Sequence, residues 1–198
     1  MKYYLKQIGF CLLYLFFMDS IAFGIDSLGS EFIEYALYIA NVGLFFFLMW
    51  VVCKKEGEEA RKVLETNDAE RRRILETGKV VPLKRAQEYR PYKGFLLGII
   101  TCAPMIILLL IHLLIHLFGG ESNIAGVIAA NAYVCFWMPY SALTLGGTTI
   151  VAWGQYFVLL YSVPLISIML GVPYMLGADK IQKQYDAFKK HHKEIHGE

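Results

Sequence analysis

The chain alternates between long apolar segments and short charged ones. Strongly apolar segments occupy residues 5–23, 32–53, 94–118 and 150–176. Each is close to the ~20 residues that an α-helix needs to cross a hydrocarbon core of ~30 Å. The pattern therefore predicts an all-α fold, a polytopic bundle of membrane-spanning helices.

A fifth apolar segment, residues 124–149, is ambiguous. It is rich in small residues and is interrupted at Pro139, where a helix is expected to kink or stop. Its part up to Met138 extends roughly 22 Å at ~1.5 Å per residue, which is short of a full crossing. The sequence therefore predicts a re-entrant or interfacial segment here, with an ordinary fifth transmembrane helix as the alternative.

The positions of the basic residues favour four spans. All 19 Lys and Arg residues lie at the start of the first span, between the second and third spans, or in the C-terminal tail. Basic residues concentrate on the cytoplasmic side of membrane proteins, and four crossings place all of them there. We therefore expect a multi-pass protein of the cell membrane with both termini cytoplasmic, whereas five spans would place the tail outside.

The N-terminal segment has a second interpretation. Lys2 and Lys6, a short apolar run and the small residues around Ala22 are typical of a signal peptide. The run is bulky and aromatic, and Asp19 precedes the cleavage position, so we favour a retained first span. Cleavage would leave three spans with the tail still inside.

The same pattern predicts the organisation of the chain. We expect a hairpin of two spans, a cytoplasmic helical linker, a membrane half with two spans and the re-entrant or interfacial segment, and a basic cytoplasmic tail. These regions cover residues 1–53, 54–93, 94–178 and 179–198.

Composition agrees with a membrane location. Hydrophobic residues make up 57% of the chain and charged residues 18%, whereas soluble domains contain roughly 45–50% apolar and ~25% charged residues. The four cysteines lie in or beside apolar segments and form no C-x-x-C pair. A zinc knot and a secreted disulfide scaffold are therefore excluded.

A short repeat marks the cytoplasmic linker. Residues 61–66 recur with similar side chains as residues 72–77, eleven residues later. Because eleven residues make three helical turns, the apolar pair in each copy lies on the same helix face. This face is a candidate docking surface for a partner helix or a second copy, or it lies on the membrane or the protein's own bundle. The docking candidates are Val63, Leu64, Ile74 and Leu75, and Gly78 is expected to end the helix.

Four basic residues precede the third span: Lys84, Arg85, Arg90 and Lys93. At a cytoplasmic boundary they are expected to contact anionic lipid headgroups. Nucleic acid is not an expected partner, because eight acidic residues are interleaved with the twelve basic residues of 54–93.

Few ionisable or strongly polar side chains occur inside the spans. Because such groups are costly in lipid, they usually face a bundle interior or a cavity. Their convergence in the outer half of the bilayer would suit proton or ion handling, or only structural hydrogen bonds. His112 and His116, spaced i and i+4, are also candidate ligands for a divalent metal such as zinc. The proton- or ion-handling candidates are Asp19, Glu34, Asn41, His112 and His116.

These observations favour a small integral membrane subunit that takes part in transport or permeation, or that anchors a larger membrane complex. We expect it to be a homo-oligomer or part of such a complex, with no cofactor. One alternative is a membrane-embedded metal-dependent enzyme that uses the two histidines. The H-x-x-x-H spacing lacks the internal Glu of a metalloprotease, and no catalytic residue is assigned. Another alternative is a non-catalytic scaffold that acts through the cytoplasmic helix.

Overall fold

The structure is a computed structural model of the chain. The residues that it describes are 6, 9, 12–14, 16–18, 20, 21, 31–79, 82–122, 124–133 and 153–196. No strand occurs among these residues, and the all-α prediction is confirmed.

Five α-helices and two 3₁₀ helices make up most of the described chain. The α-helices are α1 (Glu31–Thr77), α2 (Lys93–Thr101), α3 (Ala103–Leu117), α4 (Ile124–Ala132) and α5 (Ser162–His196), and the 3₁₀ helices are Arg85–Gln87 and Trp153–Tyr161. The described positions between residues 6 and 21 are also helical. The expected boundaries at residues 53 and 178 both fall inside continuous helices, α1 and α5.

One helical run in the described chain, Tyr156–His192, is long and apolar enough to cross a membrane. The pair α2 and α3, bent by 45° at a short break, also meets that test if it forms one broken span. These helices are consistent with a membrane location. They correspond to the apolar segments 94–118 and 150–176 of the sequence.

Helix α1 ends where the sequence predicts. Gly78 follows its last residue with a φ of +68°, a left-handed conformation that glycine adopts without a Cβ clash. Its N–H donates to the Ile74 carbonyl at 2.8 Å, which satisfies one of the carbonyl groups left open at a helix C-terminus.

Helices α1 and α5 cross with their backbones in direct contact at two glycines. A Cβ added at Gly57 would lie 1.9 Å from the Tyr174 carbonyl oxygen, and a Cβ added at Gly177 would lie 1.9 Å from the Lys54 carbonyl oxygen. Only hydrogen fits at these positions. We call this contact the glycine crossing.

Helix α2 packs antiparallel to α5, again through small residues. A Cβ at Gly94 would lie 2.8 Å from the Gly171 Cα, and a Cβ at Gly98 would lie 2.4 Å from the Ser167 Cα. Gly94 and Gly98 are four residues apart and lie on the same face of α2, so both let the α5 backbone approach closely.

The bend between α2 and α3 follows from Pro104. Proline has no N–H to donate to the Ile100 carbonyl, and its ring crowds that turn of the helix. At the break, the Thr101 carbonyl accepts a hydrogen bond of 2.6 Å from the buried Tyr133 hydroxyl. A carbonyl at a helix break inside a membrane needs such a partner, because lipid offers none.

Helix α4 carries Tyr133 into the bundle. Its small residues Ala125, Gly126, Ala129 and Ala130 are buried, and a Cβ at Gly126 would lie 2.6 Å from the Tyr156 ring. The first part of segment 124–149 thus enters the bundle from the end of α3. Residues 134–149, which decide between a hairpin and a fifth span, lie outside the described residues.

The described residues of the bundle enclose an apolar core, and their outer surface is also apolar. Buried residues from α1, α3, α4 and α5 form a single cluster that includes Phe45, Leu109, Ala129 and Leu170. On the outward faces, large side chains such as Phe47 and Ile107 are 64% and 56% exposed. An apolar surface on both sides of each helix is typical of helices that contact lipid.

We predict that Gly57→Ala and Gly177→Ala each destabilise the detergent-solubilised protein by about 1–3 kcal/mol, because the added methyl forces the two backbones apart. The control is Gly43→Ala in the same helix α1, where, apart from the neighbouring backbone of α1 itself, no atom of the described residues lies within 4 Å of the added Cβ. It should be neutral or slightly stabilising. Thermal unfolding measures the difference, and equal shifts for all three variants would contradict the packing.

Candidate functional site

The glycine crossing lies where three helices change from apolar to charged. Helix α1 has no charged residue between Glu34 and Lys54, and α5 has none before Asp179. Helix α2 begins at Lys93, and the next residue, Gly94, packs against Tyr174 and Gly171 beside the crossing. Three charge boundaries that are remote in sequence therefore lie at one level of the molecule. We call this level the charge boundary.

An ion pair joins α1 and α5 just beyond the charge boundary. Lys180 Nζ donates to Glu58 Oε1 at 2.9 Å. That hydrogen bond lowers the pKa of Glu58 below its ordinary value of 4.5. The contribution of the pair to stability is therefore fully present above pH 4.5 and is lost only as the pH falls below that value.

A buried polar cluster folds the linker after α1 back onto that helix. Asn67 donates to Glu88 Oε1 at 2.7 Å and accepts from the Lys84 backbone N–H at 3.3 Å. Arg71 also donates to Glu88 Oε1 and pairs with Asp68 at 2.5 Å. A buried carboxylate is costly unless it is paired, and these bonds compensate Glu88. We call Asn67, Arg71 and Glu88 the polar clamp.

Aromatic stacking extends this contact to α5. The Tyr89 ring stacks on Tyr174 of α5, with centroids 5.5 Å apart and planes at 22°. The Arg61 guanidinium carbon lies 5.9 Å from the Tyr89 centroid, and the Tyr89 N–H donates to the Ala60 carbonyl at 3.0 Å. Burial raises the pKa of Tyr89, so its hydroxyl stays protonated at neutral pH. The linker is thus fixed to both helices of the crossing.

The predicted headgroup residues divide into two groups. Lys84, Arg85 and Arg90 have exposed side chains, and we call them the basic face. Lys93 is 8% exposed, and its ammonium group donates to the Ala86 and Glu88 carbonyls. Lys93 therefore holds the linker together from inside the fold.

His112 and His116 lie next to each other on α3, with ring centroids 4.8 Å apart. His112 is fully buried, and its ring meets Tyr156 edge-on at 5.2 Å. Among the described residues, no group of three or more His, Cys, Asp or Glu side chains is arranged to hold a metal ion. The histidines thus share an aromatic surrounding, and zinc binding stays a prediction.

The other predicted intramembrane residues do not join this pair in the described part of the structure. Asn41 is buried on α1 and donates to the Met18 carbonyl of the N-terminal helical segment at 2.9 Å. Asp19 lies outside the described residues, as does the side chain of Glu34. Convergence of the carboxylates on the histidines therefore stays a prediction.

The predicted docking residues lie along the charged half of α1. Val63, Leu64 and Ile74 are half-buried, whereas Leu75 is 85% exposed. Three of the four residues are thus partly covered within the described chain, and Leu75 faces outwards. Docking of a partner on this face stays a prediction.

The polar clamp and the glycine crossing were not identified from the sequence. Two signals pointed to the clamp: Asn67 is a poor helix former within a long helix, and Glu88 is the one acidic residue between Thr77 and Phe118. Their pairing was hidden because 21 residues separate them.

No family model, curated protein or solved structure matches this chain.

We predict that Glu88→Ala opens the linker locally. Loss of the hydrogen bonds to Asn67 and Arg71 lowers the free energy of opening the linker by about 1.5–3 kcal/mol. The population of molecules with an open linker therefore rises at least tenfold. Trypsin cleavage after Lys84 and Arg85, measured by limited proteolysis, should accelerate by that factor. Glu59→Ala, at an exposed residue of α1, is the control and should leave the cleavage rate unchanged. Equal rates for both variants would show that the clamp does not hold the linker.

Proposed function

We propose that the protein is a multi-pass membrane subunit that anchors a larger complex. The apolar parts of its helices lie in the bilayer, with the charge boundary at the cytoplasmic surface. The charged ends of α1 and α5 extend into the cytoplasm as an arm on which a partner assembles.

The coincidence of the three charge boundaries carries this proposal. In a soluble protein, nothing requires neighbouring helices to become charged at the same level, because water surrounds the whole molecule. A membrane surface imposes such a level on every helix that leaves it. The basic residues on the charged side support a cytoplasmic orientation.

The length of the arm supports an anchoring role. From Lys54, α1 continues for ~36 Å, and from Asp179, α5 continues for ~27 Å, at ~1.5 Å per residue. On α5 the buried Ile181 is followed on the same face by Tyr185, which is half-buried, and Phe188, which is 67% exposed. The apolar stripe of α5 therefore extends beyond the residues that are buried within the chain. On α1, Leu75 is likewise an apolar residue left uncovered near the end of the helix.

Native gel electrophoresis of mildly solubilised membranes tests the anchoring role. Wild-type protein should migrate in an assembly larger than the detergent-bound monomer. Leu75→Glu and Phe188→Glu should release it from that assembly, because a charge replaces the apolar contact with the partner. Both residues are largely exposed in the chain itself, so neither change disturbs the fold.

Glu76→Gln is the matched control, because it changes a neighbouring exposed residue without altering the apolar surface. It should leave the assembly intact. A wild-type protein that migrates as a monomer, or arm variants that stay in the assembly, would refute the anchoring role.

A second candidate function is proton handling in the bundle. It is favoured by the two imidazoles of α3, whose rings lie 4.8 Å apart, with His112 fully buried. Adjacent histidines inside a membrane protein suit the transfer of protons.

Proteoliposomes that contain a pH-sensitive dye test this candidate. If the histidines carry protons, His112→Gln should reduce proton flux roughly tenfold or more, as expected for a lost acid–base group. His191→Gln, in the exposed end of α5, is the control and should leave the flux unchanged. Wild-type flux equal to that of protein-free vesicles would exclude proton handling.

A further inference from the structure

In the linker between α1 and α2, the acidic side chain is buried and basic side chains are exposed. Its carboxylate, Glu88, points inwards, where Asn67 and Arg71 bind it. The side chains of the basic face, Lys84, Arg85 and Arg90, remain exposed. The outward surface of this segment is therefore positive, although its sequence contains an acid.

Backbone and side-chain contacts fix the conformation that presents the basic face. The 3₁₀ helix Arg85–Gln87 is bracketed by the Lys84 N–H bond to Asn67 and by the two bonds from the Lys93 ammonium group. Arg90 donates to the Tyr92 hydroxyl at 2.9 Å. The three cations are thus carried on a fixed loop, which lowers the entropic cost of binding an anion.

Arg90, at the α2 end of the basic face, lies beside the charge boundary. Tyr89 stacks on Tyr174, and Gly94 packs on Gly171 and Tyr174, beside the glycine crossing. Tyr92, next to the basic face, is 53% exposed, and tyrosines are enriched at the level of lipid headgroups. Arg90 therefore lies at the level where phosphate groups of the bilayer are found. The Lys84 N–H donates to Asn67, which lies ten residues further along α1 than Gly57, so the basic face extends from the headgroup level towards the cytoplasm.

We propose that the basic face is a binding site for the headgroups of anionic phospholipids in the cytoplasmic leaflet. The polar clamp acts as its support, because it removes the one negative charge of the segment from the surface. This inference rests on the membrane placement proposed above. Each basic residue near an anionic surface strengthens binding about fivefold, and three of them act together here.

Lipid retention measures this site directly. Full-length protein is reconstituted in nanodiscs of phosphatidylcholine with phosphatidylglycerol, extracted, and examined by native mass spectrometry for bound lipid. Wild-type protein should retain phosphatidylglycerol over phosphatidylcholine. The triple variant Lys84→Gln, Arg85→Gln, Arg90→Gln should weaken this preference by roughly twentyfold or more. Inorganic phosphate should not displace the lipid; displacement would indicate a site for free phosphate and overturn the proposal.

A variant with the same loss of charge serves as the control. Lys183→Gln, Lys189→Gln, Lys190→Gln lies on the exposed part of α5, beyond the charge boundary. It should retain phosphatidylglycerol as the wild-type protein does. Equal losses in both variants, or no preference in the wild-type protein, would overturn the lipid site. Carbonate extraction of the same variants tests membrane insertion separately, so failure of the lipid site leaves the anchoring role open to its own test.

Discussion

The structure depends on the contact of two helix backbones at Gly57 and Gly177. At each glycine, an added Cβ would lie 1.9 Å from a carbonyl oxygen of the other helix, so a larger residue separates α1 from α5. Close backbone contact of this kind gains dispersion energy and weak Cα–H···O bonds without a bulky apolar interface. The contact also fixes the position of one helix along its axis relative to the other helix. The ion pair of Glu58 and Lys180, one residue and three residues further along, depends on that position.

The remaining contacts on the charged side of the boundary depend on this crossing. Tyr174 of α5 lies against Gly57, Gly94 and the Tyr89 ring, so α1, α2 and the linker all meet at one residue of α5. The polar clamp then holds the linker along α1. Inside the bundle, the bend at Pro104 leaves the Thr101 carbonyl in need of a hydrogen-bond donor, and Tyr133, the residue after α4, supplies it. The bend is thus compensated by a side chain from a different part of the chain.

Local features of the fold could be predicted from the sequence, whereas contacts between distant residues could not. The end of α1 at Gly78 and the bend at Pro104 follow from the backbone properties of one residue each. Gly57 lies in a charged stretch that resembles a solvent-exposed helix, and its partner, Gly177, is far away in the chain. Likewise, the sequence places Lys93 in a basic run that resembles an exposed one. Its burial depends on the Ala86 and Glu88 carbonyls, which the folded linker positions. Single-sequence patterns describe the faces of helices but not which faces meet.

The central claim is that the charge boundary marks one membrane surface. Spin labels placed one at a time on outward positions report depth through their relative accessibility to oxygen and to a water-soluble nickel chelate. Suitable positions on α1 are Phe47, Val51, Lys55 and Glu59, and on α5 they are Ile168, Leu176, Asp179 and Lys183. If the charge boundary marks a membrane surface, labels up to residue 51 on α1 and up to residue 176 on α5 should be accessible mainly to oxygen. Labels from residue 55 on α1 and from residue 179 on α5 should be accessible mainly to the nickel chelate. Transitions more than one helical turn from these positions, or their absence, would contradict the claim.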